Sequence, residues 1–195
     1  MAIAEAGVLF VCHANICRSP MAERLARHAL ATHSGAAASP IPVSSAGTHT
    51  RAGYQMHPDA SRVLRELGAD DEGFASRPLT ADLVSAAALI LTATRGQRAV
   101  CATLAPAAIR RVFTVRQFGR LTAAVDPARI PTGAAPARID ALLAEFTAVR
   151  GRLQPVPGDE DDLADPVLGP AEAFLTCAEE IKRCVVPAVK LIAPA

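Results

Sequence analysis

Apolar positions along the chain fall into short blocks separated by polar, glycine or proline turns, and the blocks alternate between two periods. Val8-Leu9-Phe10-Val11 is a continuous apolar run. It ends in a polar segment and then in Pro20-Met21-Ala22-Glu23-Arg24-Leu25-Ala26-Arg27, whose residues favour helix. The reading is strand, tight loop, helix. A second extended stretch, Ile41 to Ser45, ends at Gly47 and leads to a helix over Pro58 to Leu67 closed by Gly68. Ala87-Ala88-Leu89-Ile90-Leu91 predicts a third strand buried on both faces, followed by a helix over Arg95 to Leu104. Ile109 to Val115 predicts a fourth strand, weakened by Arg110 and Arg111. Strands alternating with helices specify an α/β fold: a doubly wound, four-stranded parallel sheet with helices on both faces and right-handed crossovers. Ligands of such sheets sit beyond the carboxyl ends of the strands.

From Leu121 to Asp162 the pattern changes. Prolines and glycines bracket a helix over Pro136 to Arg150, and the acidic run Asp159-Glu160-Asp161-Asp162 follows. This stretch reads as an excursion from a single domain over residues 1–195, with the acidic run solvated. The last segment, Ala171 to Leu191, puts Ala173, Phe174, Cys177, Ile181, Cys184 and Val185 near one helical stripe, so it packs against the sheet. Pro187 is expected to bend it or end it early.

Composition narrows the function classes. Of 195 residues, 51% are hydrophobic, and 20 basic side chains against 19 acidic ones leave a net charge of +1, which argues against a general polyanion-binding surface and hence against nucleic acid as a partner. The longest nearly apolar stretch, Ala86 to Thr94, is far shorter than the ~20 residues of a membrane span, and the Ala-rich amino terminus carries Glu5 and no basic leader. A cytoplasmic protein with no membrane partner is expected. Five cysteines, an odd number in a chain long enough to hold itself by burial, do not suit a secreted disulfide framework.

One of those cysteines lies in the informative segment, Cys12-His13-Ala14-Asn15-Ile16-Cys17-Arg18-Ser19-Pro20. A loop curling from a strand's carboxyl end into a helix's amino end points successive N–H groups inward, a nest for the oxygens of a phosphate. Residues 13 to 18 would supply it, and Arg18, closing the loop, adds paired hydrogen bonds to the same anion. Cys12 then stands in a positive environment that favours its thiolate. A shift of about three pKa units is worth roughly 4 kcal/mol and would make the anion dominant at neutral pH. Ser19 is placed to donate toward the sulfur, and Pro20 is tolerated in the first helical turn. Cys177 and Arg183 repeat the spacing, but with Glu179 and Glu180 between them inside a helical pattern, where amides are paired and carboxylates repel an anion.

Residues 8 to 23, Val-Leu-Phe-Val-Cys-x-x-Asn-Ile-Cys-Arg-Ser-Pro-Met-Ala-Glu, resemble the opening of the low-molecular-weight protein tyrosine phosphatases. Ser44-Ser45-Ala46-Gly47-Thr48 is similar to the family's second strand and turn, and Asp165-Pro166 to its general-acid loop. The resemblance covers residues 8 to about 118 and 163 to 193, in an actinobacterial-like form with extra length over 121 to 162. It implies a phosphomonoester hydrolase in which Cys12 forms a phosphocysteine, Arg18 and the loop amides hold the phosphate, and a carboxylic acid protonates the leaving oxygen before activating water. The substrate would be a phosphorylated protein or a small phosphomonoester. No cofactor and no metal are expected, since the histidines and cysteines show no ligand spacing. Asp126-Pro127 and Asp165-Pro166 compete for the acid; Asp126 is nearer the family's usual distance from the nucleophile. Asp165 has the right downstream context, Gly169-Pro170 and the terminal helix, and is the choice.

Departures from the family frame the alternatives. Ala14 stands where the family usually has glycine; if that position needs φ > 0 the methyl costs roughly 1–2 kcal/mol, and otherwise it is harmless. Asn15 tolerates the left-handed region and is expected to tie the loop to Ser45. Phe74 replaces a histidine of the same network. Val167 and Leu168 replace the aromatic wall after the acid-loop proline, which leaves His13 and the stretch from His49 to Arg51 as cleft edges and makes tyrosine specificity less secure than phosphatase chemistry. Ile16 stands where arsenate reductases of this fold have serine and arginine phosphatases threonine. A phosphate-binding pseudoenzyme and an arsenate reductase remain the alternatives. Cys17 either forms a reversible disulfide with Cys12 or fills the loop's inner side. Cys101, Cys177 and Cys184 read as buried apolar side chains, His28 and His33 as exposed, His57 as a helix start, and Arg110 and Arg111 as solvated charges.

Overall fold

The computed structural model describes residues 7–34 and 41–193. The amino-terminal stretch with Glu5 lies outside them. The elements in order are β1 (Val8–Cys12), α1 (Arg18–Ser34), β2 (Val43–Gly47), α2 (Pro58–Glu66), α3 (Ala81–Ala86), β3 (Leu89–Thr92), α4 (Arg95–Leu104), β4 (Val112–Thr114), α5 (Val115–Ala123), α6 (Ala135–Arg150) and α7 (Ala171–Ile192). All strand pairs are parallel and the sheet order is β2-β1-β3-β4, with Val11 beside both Ala46 and Thr92. The chain therefore leaves β1 in one direction and returns past it to β3, which makes the carboxyl end of β1 the switch point where such sheets bind ligands.

Alternation along the strands sorts the core into two layers. Val8, Phe10, Cys12, Leu89, Leu91 and Phe113 face the layer built by α1, α5, α6 and α7. Leu9, Val11, Ile90 and Val112 face α3 and α4 with Val84 and Cys101. Cys12 is thus the last inward-facing residue on the thicker side. No helix among the described residues is long and apolar enough to cross a membrane.

Four differences from the sequence reading have clear physical causes. Residues 106–111 form a 3-10 turn and β4 is only Val112–Thr114, because Pro106 starts the turn and Ile109 is exposed. Thr114 then caps α5, its hydroxyl accepting from the Gln117 N–H at 3.1 Å. Pro187 does not end α7: it lies on the solvent side, and the turn after it buries Ala188, Val189 and Ile192. Burying two large aliphatic side chains at roughly 1.5–3 kcal/mol each offsets the ~3 kcal/mol cost of an interior proline. Residues 121–162 are more than an excursion, since α6 buries Ile139, Leu142, Phe146 and Val149 in the main core. Phe146 meets Phe113 and Phe118 edge-on, with ring centroids 5.3 and 5.5 Å away.

Candidate active site

Residues 13 to 17 connect β1 to α1 in a loop that is held from inside and outside. Asn15 has φ +53°, the only positive value at a non-glycine among the described residues. Asparagine tolerates this conformation better than other side chains. Its fully buried amide uses both ends: Nδ2 donates to Ser19 Oγ and to Ser45 Oγ, each at 2.9 Å, and Oδ1 accepts from the Arg77 N–H at 2.9 Å. From outside, the segment after β2 grips the loop through its backbone. Thr48 N–H donates to the Cys12 carbonyl at 3.0 Å, His49 to His13 at 2.9 Å and His57 to Ile16 at 2.8 Å. Gly47 permits this approach, since a Cβ there would sit 2.8 Å from the His13 carbonyl oxygen. Ala14 does not have positive φ, so its methyl carries no strain.

Two donors converge on the Cys12 sulfur. The Asn15 N–H lies 3.3 Å from Sγ and the Ser19 hydroxyl 3.0 Å from it. Negative charge at the sulfur is stabilised by both and by the positive end of α1, whose first turn contains no acidic residue. Arg18, the first residue of α1, is buried, and its Nη1 donates to the Leu163 carbonyl at 3.2 Å while Nη2 pairs with Asp165. Asp165 also caps the turn that follows, accepting from the Val167 N–H at 3.3 Å. Asp126, the rival acid, caps a different turn, accepting from the Ala128 N–H at 3.0 Å on an exposed surface. The fold therefore brings together Cys12, Arg18, Ser19, Ser45 and Asp165 with the loop residues His13, Ala14, Asn15, Ile16 and Cys17, and leaves Asp126 apart.

Two supporting side chains escaped the sequence reading. Glu23 is buried, accepts from Ser45 Oγ at 2.6 Å and pairs with Arg27 at 3.0 Å. It lies one helical turn after Ser19, a spacing that would have placed it on the loop's face of α1. Arg77 donates to the Asn15 amide through its N–H and to the Ser45 carbonyl through Nε at 2.7 Å, and no local pattern announces it. Phe74 is buried outside this network, with the Arg24 guanidinium 5.9 Å from its ring.

The remaining cysteines are of another kind. Cys17, Cys101, Cys177 and Cys184 are buried and free. Burial pushes the Cys101 thiol up to about 11 and the Cys177 thiol to about 12. Burial first, and then the neighbouring Cys12, pushes Cys17 higher still, so it holds its proton. No group of three His, Cys, Asp or Glu side chains among the described residues is arranged to hold a metal ion.

Beside the loop opens a cleft of about 670 Å³ lined by Ile16, His49, Arg51, Tyr54, Met56 and His57. The His13 and His49 rings stack with centroids 4.5 Å apart, and His57 caps α2 while stacking on Phe174. Flat rings thus occur on this side, whereas Val167 and the fully exposed Leu168 follow the acid-loop proline on the other.

Known proteins resemble this chain in sequence and in fold. The family model described as low molecular weight phosphotyrosine protein phosphatase matches residues 7–129. A probable low molecular weight protein-tyrosine-phosphatase, EpsP of Ralstonia nicotianae, is 35% identical over 122 residues, covering 63% of this chain and 78% of that one. A protein-arginine-phosphatase of Geobacillus stearothermophilus is 25% identical over 178 residues, covering 91% of this chain and 90% of that one. Among solved structures, Vibrio vulnificus Wzb in complex with benzylphosphonate shares the fold at a TM-score of 0.66 and 23% identity, over 95% of this chain and 98% of that one. The chain belongs to the low molecular weight phosphotyrosine protein phosphatase family.

Proposed function

We propose that this chain hydrolyses phosphate monoesters through a phosphocysteine on Cys12, and that its substrates are aryl phosphates, most simply phosphotyrosine in proteins. The observation that carries the reading is the convergence of the Asn15 N–H and the Ser19 hydroxyl on the Cys12 sulfur beside Arg18 and Asp165. The Cys12 thiolate attacks phosphorus in line while the phosphorus–oxygen bond to the leaving group breaks. The loop amides and Arg18 hold the non-bridging oxygens, and Asp165 gives its proton to the departing oxygen. Asp165, now a carboxylate, takes a proton from water, which attacks phosphorus and releases Cys12 and inorganic phosphate.

The aryl preference rests on the cleft. Its imidazole and phenol rings suit a flat leaving group, and its titratable side chains, His49, Arg51, Tyr54 and His57, include no carboxylate. A phosphoarginine substrate, the one named for the Geobacillus relative, would bring a guanidinium toward Arg51, like charge to like charge. Ile16 weighs the same way.

The deciding experiment measures hydrolysis of 4-nitrophenyl phosphate, a phosphotyrosine peptide and a phosphoarginine peptide by the parent and by Cys12→Ser, Arg18→Ala, Asp165→Asn and Asp126→Asn. Undiminished turnover in Cys12→Ser would reject the mechanism, and a loss in Asp126→Asn but not Asp165→Asn would move the acid. Tight vanadate binding by a parent that releases no phosphate from any substrate would favour the pseudoenzyme instead.

A further inference from the structure

The acid loop has little structure of its own. Between Leu163 and Gly169 it contains a short turn capped by Asp165, a fully exposed Leu168 and a half-exposed Asp165 side chain. Pro166 is buried behind it, and on its amino-terminal side the acidic run is solvated only in its first half: Asp159 and Glu160 are exposed, whereas Asp161 and Asp162 are part-buried and held. The Glu160 carbonyl accepts from Arg116 Nη1 at 3.2 Å. Asp161 Oδ1 pairs with Arg120 Nη2 at 2.5 Å, and Asp162 Oδ1 accepts from the Arg95 N–H at 2.7 Å. Leu163 N–H then donates to the Ala93 carbonyl at 2.8 Å, and the Leu163 carbonyl receives Arg18. Arg116 and Arg120 lie one turn apart on α5. Arg95 opens α4, a helix with no acidic residue in its own first turn, so Asp162 supplies the anion its amino end favours from 67 residues away.

We propose that Asp161 and Asp162 are positioning residues for proton transfer. They strap the run before the acid loop to α5 and to the amino end of α4, which fixes Leu163 between Ala93 and Arg18 and sets Asp165 against the leaving oxygen. The proposal rests on the phosphatase reading above, with Asp165 as the acid. It assigns to the extra length before the acid loop a mechanical task that the sequence alone did not suggest. Neither aspartate touches the substrate, so their loss should mark the step that needs a proton and spare the step that only needs a bound anion.

Leaving groups separate the two. Phenyl phosphate releases a poor leaving group that needs the acid, and 4-nitrophenyl phosphate releases one that needs it far less. In the full chain, Asp161→Ala and Asp162→Ala are expected to lower kcat/KM for phenyl phosphate about tenfold more than for 4-nitrophenyl phosphate, a fraction of the ~10²–10⁴ a positioned general acid contributes. Vanadate inhibition constants should stay within about threefold of the parent, because the loop that binds the anion is built from other residues. Asp162→Asn keeps the acceptor for Arg95 and should recover most of the loss. The Arg120→Ala/Asp161→Ala double variant should lose no more than either single one. Equal losses on both esters, vanadate binding lost in proportion, or Asp162→Asn no better than Asp162→Ala would each overturn the strap while leaving the phosphatase reading intact. A parent that hydrolyses neither ester would defeat that reading, and the strap with it.

Discussion

Arg18 and Asp165, 147 residues apart in sequence, form one ion pair at the carboxyl end of β1. The guanidinium that closes the phosphate loop is thus shared between the loop and the residue placed to protonate a leaving group. Its other amino group holds the Leu163 carbonyl. An incoming phosphate must take the Nη2 donor from Asp165, and in doing so it frees the carboxyl group to face the leaving oxygen. Binding the substrate and releasing the acid become one event.

This coupling predicts opposite effects of Asp165→Asn on binding and on turnover. Removing the competing negative charge should tighten vanadate or inorganic phosphate several-fold, while turnover of phenyl phosphate falls by about 10²-fold or more. Inhibition constants and kcat measured on the same preparation decide it. Weaker vanadate binding in Asp165→Asn would mean the carboxylate does not compete for Arg18.

Much of this site was legible because its residues are contiguous. Cys12 to Pro20 carry the strand end, the loop and the helix start in nine positions, so strand alternation and helix polarity place them without tertiary information. Asp165 was legible only through its proline and the helix beyond. What sequence could not show depends on contacts across the fold. Arg77 reaches Asn15 from a segment with no periodic signal. The acidic run is solvated at Asp159 and Glu160, but nothing local reveals that Arg116 holds the Glu160 carbonyl and that Arg95 and Arg120 hold the run's second half. The fourth strand was overextended because Ile109 reads as apolar and buried, whereas Pro106 turns it outward. The stretch containing α6 reads as an excursion because its partners Phe113 and Phe118 belong to another part of the chain.

Ala14 marks a place where a departure from the family costs nothing. Its φ is not positive, so glycine there offers no relief and only adds freedom to the unfolded chain. Ala14→Gly is expected to lower stability by about 0.4–1 kcal/mol and to leave kcat/KM within about twofold of the parent. Urea unfolding and initial rates test this directly. A gain in activity would show that the alanine distorts the loop.

Asn15 is the opposite case, since both its backbone and its side chain are committed. Asn15→Ala puts an ordinary Cβ at φ +53° for roughly 1–2 kcal/mol. It also strands buried partners at Ser19, Ser45 and the Arg77 N–H, at about 1–3 kcal/mol for each unsatisfied group. Asn15→Gly removes the backbone part and keeps the rest. The order of stability in urea should be parent, then glycine, then alanine, with both variants losing turnover. Equal stability of the glycine and alanine variants would show that the left-handed backbone carries no cost.

The buried thiols set the alkaline limit of the fold. In the unfolded chain a cysteine ionises near pH 9, whereas burial holds Cys101 protonated to about 11 and Cys177 to about 12, with Cys17 and Cys184 also raised. Between those values the native state binds more protons than the unfolded one, so stability must fall as pH rises. It is fully present below about pH 8 and is lost through the window from 9 to the folded values. Each thiol contributes a slope of about 1.4 kcal/mol per pH unit. Cys101 and Cys177 alone then remove about 3 kcal/mol per unit, a large part of a typical stability of ~5–15 kcal/mol. Urea midpoints taken between pH 8 and 10.5 should therefore drop steeply above 9, and Cys101→Ala, less stable at pH 7 through its small cavity, should show the shallower descent. Parallel descents for parent and variant would mean that Cys101 ionises as readily in the folded protein as in the unfolded chain.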